Sequence, residues 1–267
     1  MKKINLSLLC ALFLSLMMVA FVACRPEPEP EPEPQPVEPQ PDPEEPLPEG
    51  CFKDIDGNVY ETIVIGKQTW MKQNLRTTHY ADGTPITDGT NLGSMSDSVA
   101  MYSDADKRPH NRPKYGLLYN WKAATRGQIS YRSPSGLQGV CPDGWHLPSA
   151  TEWRKMVTYV SGQSMYQCGD VSEDIAKALC SKEGWEQEST YPKCSPGYAP
   201  ETNNLTDFSA VPAGTEEMGI GDCAMFHTSG ENQAYNSSLY TIWRNKTTCA
   251  PGMSSKKHGA SVRCVKD

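Results

Sequence analysis

The stretch "CPDGWHLPSATEW", residues 141–153, contains the densest local signals in the chain. Ser149 with Glu152 three residues later predicts a capping box at the start of a helix, and Pro148 favours extended backbone at Leu147. After the cap, apolar side chains recur at i, i+3, i+4 and i+7, which predicts an amphipathic helix of about three turns. The members of this apolar face are Trp153, Met156, Val157 and Val160. The stretch therefore predicts a corner of the fold, where an extended segment enters a helix.

His146 is the residue of this stretch with the most obvious chemistry. The sequence places no second metal ligand three or four residues after His146, as a zinc site would favour, and reveals no acid–base partner, which a catalytic base would need. We therefore expect a half-buried histidine that hydrogen-bonds to backbone, and no metal ligand.

Residues 1–23 resemble the signal peptide of a bacterial lipoprotein. Lys2 and Lys3 precede an apolar run that ends in "FVAC", a lipobox whose cysteine is Cys24. Cleavage before Cys24 and acylation of this residue would anchor the mature chain to a membrane through lipid. The alternative is a retained transmembrane helix, which is disfavoured because the apolar run ends at a cysteine and not at a charged residue.

Residues 24–50 have the composition of a stalk. Eleven of these residues are proline and nine are acidic, a composition that favours polyproline II and buries no apolar surface. Of the formal charge of −7, the signal segment carries +2 and the stalk −8, which leaves −1 for residues 51–267. A nearly neutral folded region argues against nucleic acid as a partner.

Residues 51–267 are long enough for one domain with a sizeable core. Eight of the ten cysteines lie in this region, and an even number in an exported chain predicts up to four disulfides. No two cysteines are spaced as CxxC, which argues against a zinc ribbon or a thioredoxin-like redox site. We predict no metal site and no cofactor.

Local patterns along this domain predict an α+β fold of short antiparallel strands, two helices and long loops. Asp56-Gly57 and the alternating residues after it predict a β-hairpin that continues into "QTWMKQNL". Residues 115–124 read as a strand running into a short helix, and residues 81–114 as long ordered loops.

The second half contains a second predicted helix and the closing strands. The helix is expected to begin at Ser172 and to stop by Gly184, with Ile175 and Leu179 on one face. Residues 207–214 are expected to form a strand with a turn. The segments "LYTIWRN" and "GASVRCVKD" are expected to be closing strands.

Five segments in a fixed order resemble one known family. They are "DIDGNVYETIVIGKQTWMKQNL", "YGLLYNWKAA", "QGVCPDGWHLPSATEW", "TNNLTDFSAVPAG" and the ending "SVRCVKD". Together they resemble the Fibrobacter succinogenes major paralogous domain, a family of bacterial cell-surface domains that is frequent in lipoproteins. The resemblance spans residues 54–267. The chain departs from it between Cys223 and Cys249, where "MFHTS" stands in place of the more common "FWSST".

The resemblance implies a C-type-lectin-like fold, which also includes the formylglycine-generating enzymes and their similar "RLPTEAEWE" stretch. In lectin-like folds the end of the chain returns as a strand beside the first helix, which implies a Cys141–Cys264 disulfide. The other six cysteines of the domain allow fifteen pairings. Among them we favour Cys223–Cys249, because these two residues flank the divergent segment.

The expected function is that of a lipid-anchored protein of the outer membrane, exposed on the cell surface, that displays a binding or adhesion module for an extracellular glycan or protein. This expectation rests on fold analogy. The calcium-dependent sugar triplets "EPN" and "WND" are absent, and "QPD" occurs only in the stalk. Trp243 is the tryptophan most open to contact with a ligand. Ser98, within "DSV", resembles an O-glycosylation site of exported Bacteroidetes proteins.

Two alternatives remain open. One is a structural component of a surface assembly without a small ligand, which the sequence does not separate from a binding module. The other is an oxidase of the formylglycine-generating type, which needs copper-binding thiols near the C-terminus. Cys249 and Cys264 are the candidates for such thiols, but disulfides explain them more simply. We therefore expect no catalytic residue and no enzymatic activity.

Overall fold

The corner at residues 141–153 forms the capped helix that its sequence predicts. The hydroxyl of Ser149 accepts the Glu152 backbone N–H at 3.3 Å, and the Glu152 carboxylate accepts the Ser149 N–H at 2.9 Å. Helix α3, Ala150–Ser161, follows this capping box. Its inner face is buried through Trp153, Met156 and Val160, which confirms the predicted apolar periodicity.

The structure, a computed structural model, describes residues 46–267. The signal peptide, Cys24 and the stalk up to residue 45 lie outside the described residues. The described part is an α+β fold of antiparallel sheets and short helices. Among its helices, none combines the length and the apolar character that a membrane crossing would require.

The strands of the described region are short. They are β1 Cys51–Lys53, β2 Val59–Ile65, β3 Gln68–Met71, β4 Thr87–Asp88, β5 Met101–Asp104, β6 Leu117–Tyr119, β7 Trp145–His146, β8 Cys223–Asn232, β9 Asn236–Trp243, β10 Cys249–Ser255 and β11 Val265–Lys266. Besides α3, the α-helices are α1 Arg112–Tyr115, α2 Trp121–Thr125 and α4 Ala176–Leu179. Single 3-10 turns lie at Ala105–Lys107, Pro109–Asn111, Ser164–Tyr166 and Pro200–Thr202.

The main sheet has five strands in the order β1-β2-β3-β11-β7. The predicted hairpin supplies three of them, with Ile63 opposite Trp70 across β2 and β3. The closing strand β11 lies between β3 and β7, because Val265 pairs with Trp70 on one side and with His146 on the other. The end of the chain therefore joins the hairpin to the corner.

A disulfide fixes this arrangement. Cys141, the first residue of the corner, is bonded to Cys264, next to β11, with the Cα atoms 5.9 Å apart. This is the pairing that the family resemblance implies.

The core under α3 is built around one tryptophan. The ring of Trp153 lies 4.7 Å from Trp70, 5.0 Å from Phe226, 5.4 Å from Tyr240 and 5.9 Å from Phe208, measured between ring centroids. Trp153 belongs to α3, Trp70 to the main sheet, Phe226 and Tyr240 to a second sheet of three strands, β10-β9-β8, and Phe208 to a loop. Trp153 thus joins both sheets, since large aromatic rings bury the most apolar area per residue.

Two predicted elements differ from the structure. The helix expected from Ser172 is the single turn α4, because the N–H of Ala176 bonds to Thr247 in another segment and Cys180 forms a bridge with Ala210. These contacts to other segments replace the hydrogen bonds that a longer helix would need.

The strand expected at residues 207–214 is also wrong. Asp207 and Ser209 have positive φ angles of 61° and 56°, which no strand allows. The carbonyl oxygens of Phe208 and Ser209 instead accept hydrogen bonds from the buried guanidinium of Arg263.

The disulfide predictions were partly wrong. Within the described residues there are two disulfides, Cys141–Cys264 and Cys168–Cys194, while Cys51, Cys180, Cys223 and Cys249 are free. The predicted Cys223–Cys249 bond is absent because β9 lies between the strands that carry these residues. Two strand spacings amount to about 9.5 Å, whereas bonded cysteines need Cα atoms within about 7 Å.

Candidate functional site

His146 lies where the corner meets the end of the chain. It belongs to β7, pairs with Val265 of β11, and exposes 3% of its surface. Its Nδ1 lies 2.6 Å from the carboxylate of Asp267, and its Nε2 lies 2.7 Å from the carboxylate of Glu152. Two ionised carboxylates both require a donor, so the ring carries a proton on each nitrogen.

The electrostatics of His146 follow from these two partners. Burial opposes the charged ring, but the hydrogen bonds with Glu152 and Asp267 prevail and raise the pKa of His146 above its ordinary value. Our expectation of a bond to backbone was therefore wrong, because both ring nitrogens contact carboxylates. A ring with neither nitrogen free cannot accept a proton as a general base.

Glu152 is the centre of this polar cluster. Besides His146 and the N–H of Ser149, its carboxylate accepts the Ser149 hydroxyl at 3.0 Å and the Ser135 N–H at 3.0 Å. Burial opposes its charge, but the bonds from His146 and Ser149 lower its pKa below the ordinary value. Because Ser135 lies in the loop before β7, this one carboxylate holds together a loop, a strand and a helix.

An open groove runs beside this cluster, and we call it the corner groove. Its apolar compartment, about 500 Å³, is lined by Ile65, Gly66, Lys67, Gln68, Lys155 and Tyr159. Its polar compartment, about 460 Å³, adds Thr69, Pro134, His146, Glu152, Val265, Lys266 and Asp267 to Lys67, Gln68 and Lys155. The two compartments share three residues and therefore adjoin. Their volumes lie in the range of small-ligand clefts.

Tyr159 forms the aromatic wall of the corner groove. Its side chain is 43% exposed, and it lies on α3 four residues after Lys155, so the two side chains share one helix face. Opposite the ring is Gly66, at φ 64° in the turn between β2 and β3, where an added Cβ would come within 3.0 Å of Tyr159. Glycine therefore lets the turn approach the ring closely, because it has no side chain and tolerates positive φ.

The charged side chains of the groove are mostly cationic. Lys67, Lys155 and Lys266 line it, against the carboxylates of Glu152 and Asp267. Both carboxylates are already in contact with the protonated His146. The groove therefore offers exposed ammonium groups whose charge the carboxylates do not fully balance.

The predicted ligand contact and the predicted glycosylation site do not line the corner groove. Trp243, at the end of β9, is partly buried and packs against a small apolar cluster with Met225 and Leu239, outside the corner groove. Ser98 lies exposed in the loop before β5, with its hydroxyl 2.7 Å from that of Ser96. Cys24 lies outside the described residues.

The two cysteines considered for copper do not form a thiol pair. Cys264 is bonded to Cys141, and Cys249 is a buried free thiol. Burial raises the pKa of the Cys249 thiol to about 12, which keeps it protonated at neutral pH. Across residues 46–267, no group of three or more His, Cys, Asp or Glu side chains is arranged to hold a metal ion.

Apart from His146 and Glu152, the sequence analysis did not single out the residues that line the groove. Lys155 and Tyr159 could have been found from the sequence, because they lie one turn apart on α3 and outside its predicted apolar face. No local sequence pattern indicates Lys67 and Asp267, because the pairing of β3 with β11 is what brings them to the same groove.

Comparison with known proteins identifies the domain. No curated protein and no solved structure matches the chain. A family model described as the Fibrobacter succinogenes major domain matches residues 63–266, a range that includes the corner, both disulfides and most of the corner groove. The chain therefore belongs to the Fibrobacter succinogenes major domain family.

Proposed function

We propose that this protein is a lipid-anchored protein of the bacterial outer membrane that displays a binding module for an extracellular glycan or protein. The corner groove is the observation that supports binding. It combines an apolar floor, an exposed aromatic ring and exposed ammonium groups, the mixture of surfaces that small-ligand sites use. The lipobox at Cys24 supports the anchor, and the acidic residues after it are loosely like a surface-export signal.

The proposed fold of the module is C-type-lectin-like. Its support is the capped helix α3, the end of the chain running as β11 beside β7, and the Cys141–Cys264 disulfide that joins the segments leading into these two strands. In this proposal the corner is structural, and the exposed surface beside it is free to bind.

The test is a binding screen with the full chain against arrayed glycans and extracellular proteins. Tyr159→Ala removes the aromatic wall of the groove, and Tyr235→Ala is its matched control, because Tyr235 is 80% exposed on a distant hairpin. We expect a ligand whose affinity falls about tenfold or more in Tyr159→Ala only. A ligand that binds both variants equally well, or no ligand at all, would contradict the proposed site.

A second candidate, a structural component of a surface assembly, is favoured by a different surface. Tyr131, Tyr235 and Met253 are 67%, 80% and 60% exposed. They lie around the hairpin of β8 and β9, where the Tyr131 hydroxyl bonds to the Glu231 carbonyl. Exposed apolar side chains at one place are typical of protein contacts.

Sedimentation of the full chain tests the second candidate. Self-association that Tyr235→Ser abolishes, with Tyr159→Ser as the control, would support an assembly role. A monomer at every concentration would argue against self-assembly through this hairpin.

A further inference from the structure

We propose that the corner groove binds a uronic acid unit of an acidic polysaccharide. This inference rests on the proposed function and names the chemical class of its ligand. The lysine side chains of the groove favour a ligand with a carboxylate. Lys67 and Lys155 line both compartments, so a carboxylate at the junction of the compartments would lie beside both lysine side chains.

The position of Lys155 is fixed by its surroundings. Its Nζ donates to the Ser133 hydroxyl at 2.8 Å, which ties the side chain to the loop before β7. A lysine held in place loses less side-chain entropy when it binds a carboxylate. The two carboxylates in the groove do not compete strongly, because Glu152 and Asp267 are both bonded to the protonated His146.

The aromatic wall supplies the second part of the recognition. A sugar ring has an apolar face of C–H groups, which packs on aromatic rings, and hydroxyl groups at its rim. Tyr159 offers its ring beside the apolar floor of Ile65 and Gly66, while Gln68 lines both compartments as a polar partner. A uronic acid carries an apolar face, hydroxyl groups and a carboxylate in one ring, and so matches all three features.

Calorimetric titration of the full chain with linear uronate oligomers tests the proposal. The probes are oligomers of galacturonate, mannuronate and glucuronate, each beside its methyl ester, which keeps the ring and removes the charge. We expect the acid form of at least one oligomer to bind about tenfold more tightly than its ester, with a preference that weakens in high salt.

Three variants separate charge from stacking. Lys67→Glu and Lys155→Glu should abolish the preference for the acid while changing the affinity for the ester little. Tyr159→Ala should weaken acid and ester alike. Lys257→Glu, at an exposed position outside the groove, is the matched control and should bind as the unmodified chain does.

Several results would overturn the inference. They are equal affinity for acid and ester, equal affinity for poly-glutamate and uronates, or no binding of any uronate at millimolar concentration. If a neutral glycan or a protein still binds in a Tyr159-dependent manner, only the ligand class is wrong. If nothing binds the groove, the proposed function fails as well.

Discussion

The corner and the three-stranded sheet β8–β10 each bury one histidine, yet the two rings are in opposite states. His146, in the corner, contacts two carboxylates, and its pKa is raised although burial opposes the charge. His227, in β8, donates only to the Tyr119 carbonyl, at 2.7 Å, and burial lowers its pKa to about 4. Because both rings are almost fully buried, charged partners and not burial decide which histidine carries a proton.

The cysteines of the two regions differ in whether they form a disulfide. Cys141 and Cys264 lie on segments that β11 brings side by side, and they are bonded. Cys223 and Cys249 lie in one sheet but on either side of β9, and both are free. The corner is thus held by a disulfide and a buried charged cluster, whereas the three-stranded sheet contains no disulfide among its described residues and depends on packing, strand hydrogen bonds and an ion pair between Lys256 and Glu231 at its margin. Five predictions test this contrast.

Cys264→Ser should have the largest effect. The disulfide spans a sequence separation of 123 residues, for which loop entropy predicts a loss of about 4–5 kcal/mol in the free energy of unfolding. Urea unfolding followed by fluorescence measures this loss, and alkylation should find a new thiol at Cys141. A loss below about 1 kcal/mol would show that the ion pairs hold the corner without the disulfide.

Glu152→Gln should cause the second-largest loss in the free energy of unfolding. Glutamine keeps an acceptor for the N–H groups of Ser149 and Ser135 but removes the charge that faces His146. Breaking a buried ion pair typically costs about 3–5 kcal/mol. The control is Glu173→Gln, at an exposed position, which should change urea stability by less than about 0.5 kcal/mol. Similar losses of urea stability in both variants would show that Glu152 is not the centre of the cluster.

The His227 ring should make the three-stranded sheet sensitive to acid. Its folded pKa of about 4 lies below the ordinary value of 6.5, so between these values the unfolded chain binds more protons. Its contribution to stability is therefore lost as the pH falls from 6.5 to 4, by about 3 kcal/mol. His227→Gln, which keeps a donor for Tyr119, should remove this part of the pH dependence. Parallel stability curves for the two proteins from pH 7 to 4 would contradict the assignment.

His146 should show a smaller dependence of opposite sign. Its folded pKa is raised, so its contribution is fully present below the ordinary value and is lost as the pH rises through the folded pKa. Comparison of His146→Gln with the unmodified chain in urea should therefore show a stability difference that shrinks towards alkaline pH. A difference that grows with pH would mean that the ring is neutral in the folded protein.

Local structure was predictable from local sequence, because both partners of each contact lie a few residues apart. Ser149 and Glu152 predicted the capping box, and Asp56-Gly57 predicted the hairpin. The strand-to-helix pattern at residues 115–124 likewise matches β6 and α2.

Most of the candidate site could not be predicted from the sequence. The bond between His146 and Asp267 joins residues 121 positions apart, and no local pattern reveals it. The predicted helix at Ser172 and the strand at residues 207–214 failed for the same reason, since distant partners such as Thr247 and Arg263 take their backbone groups. The family resemblance supplied what periodicity could not, namely the return of the chain end beside the corner.

The free cysteines of the three-stranded sheet give the smallest expected effect. Cys223→Ala and Cys249→Ala remove no bond, so each should lower the free energy of unfolding by only about 1 kcal/mol. Burial raises the pKa of both thiols to about 12, so they should react with alkylating reagents only after unfolding, later than the half-exposed Cys51. Peptide mapping after denaturing alkylation without reductant should recover Cys51, Cys180, Cys223 and Cys249 as thiols. A bond between Cys223 and Cys249 would require β9 to leave its place between β8 and β10, and would refute the strand order of this sheet.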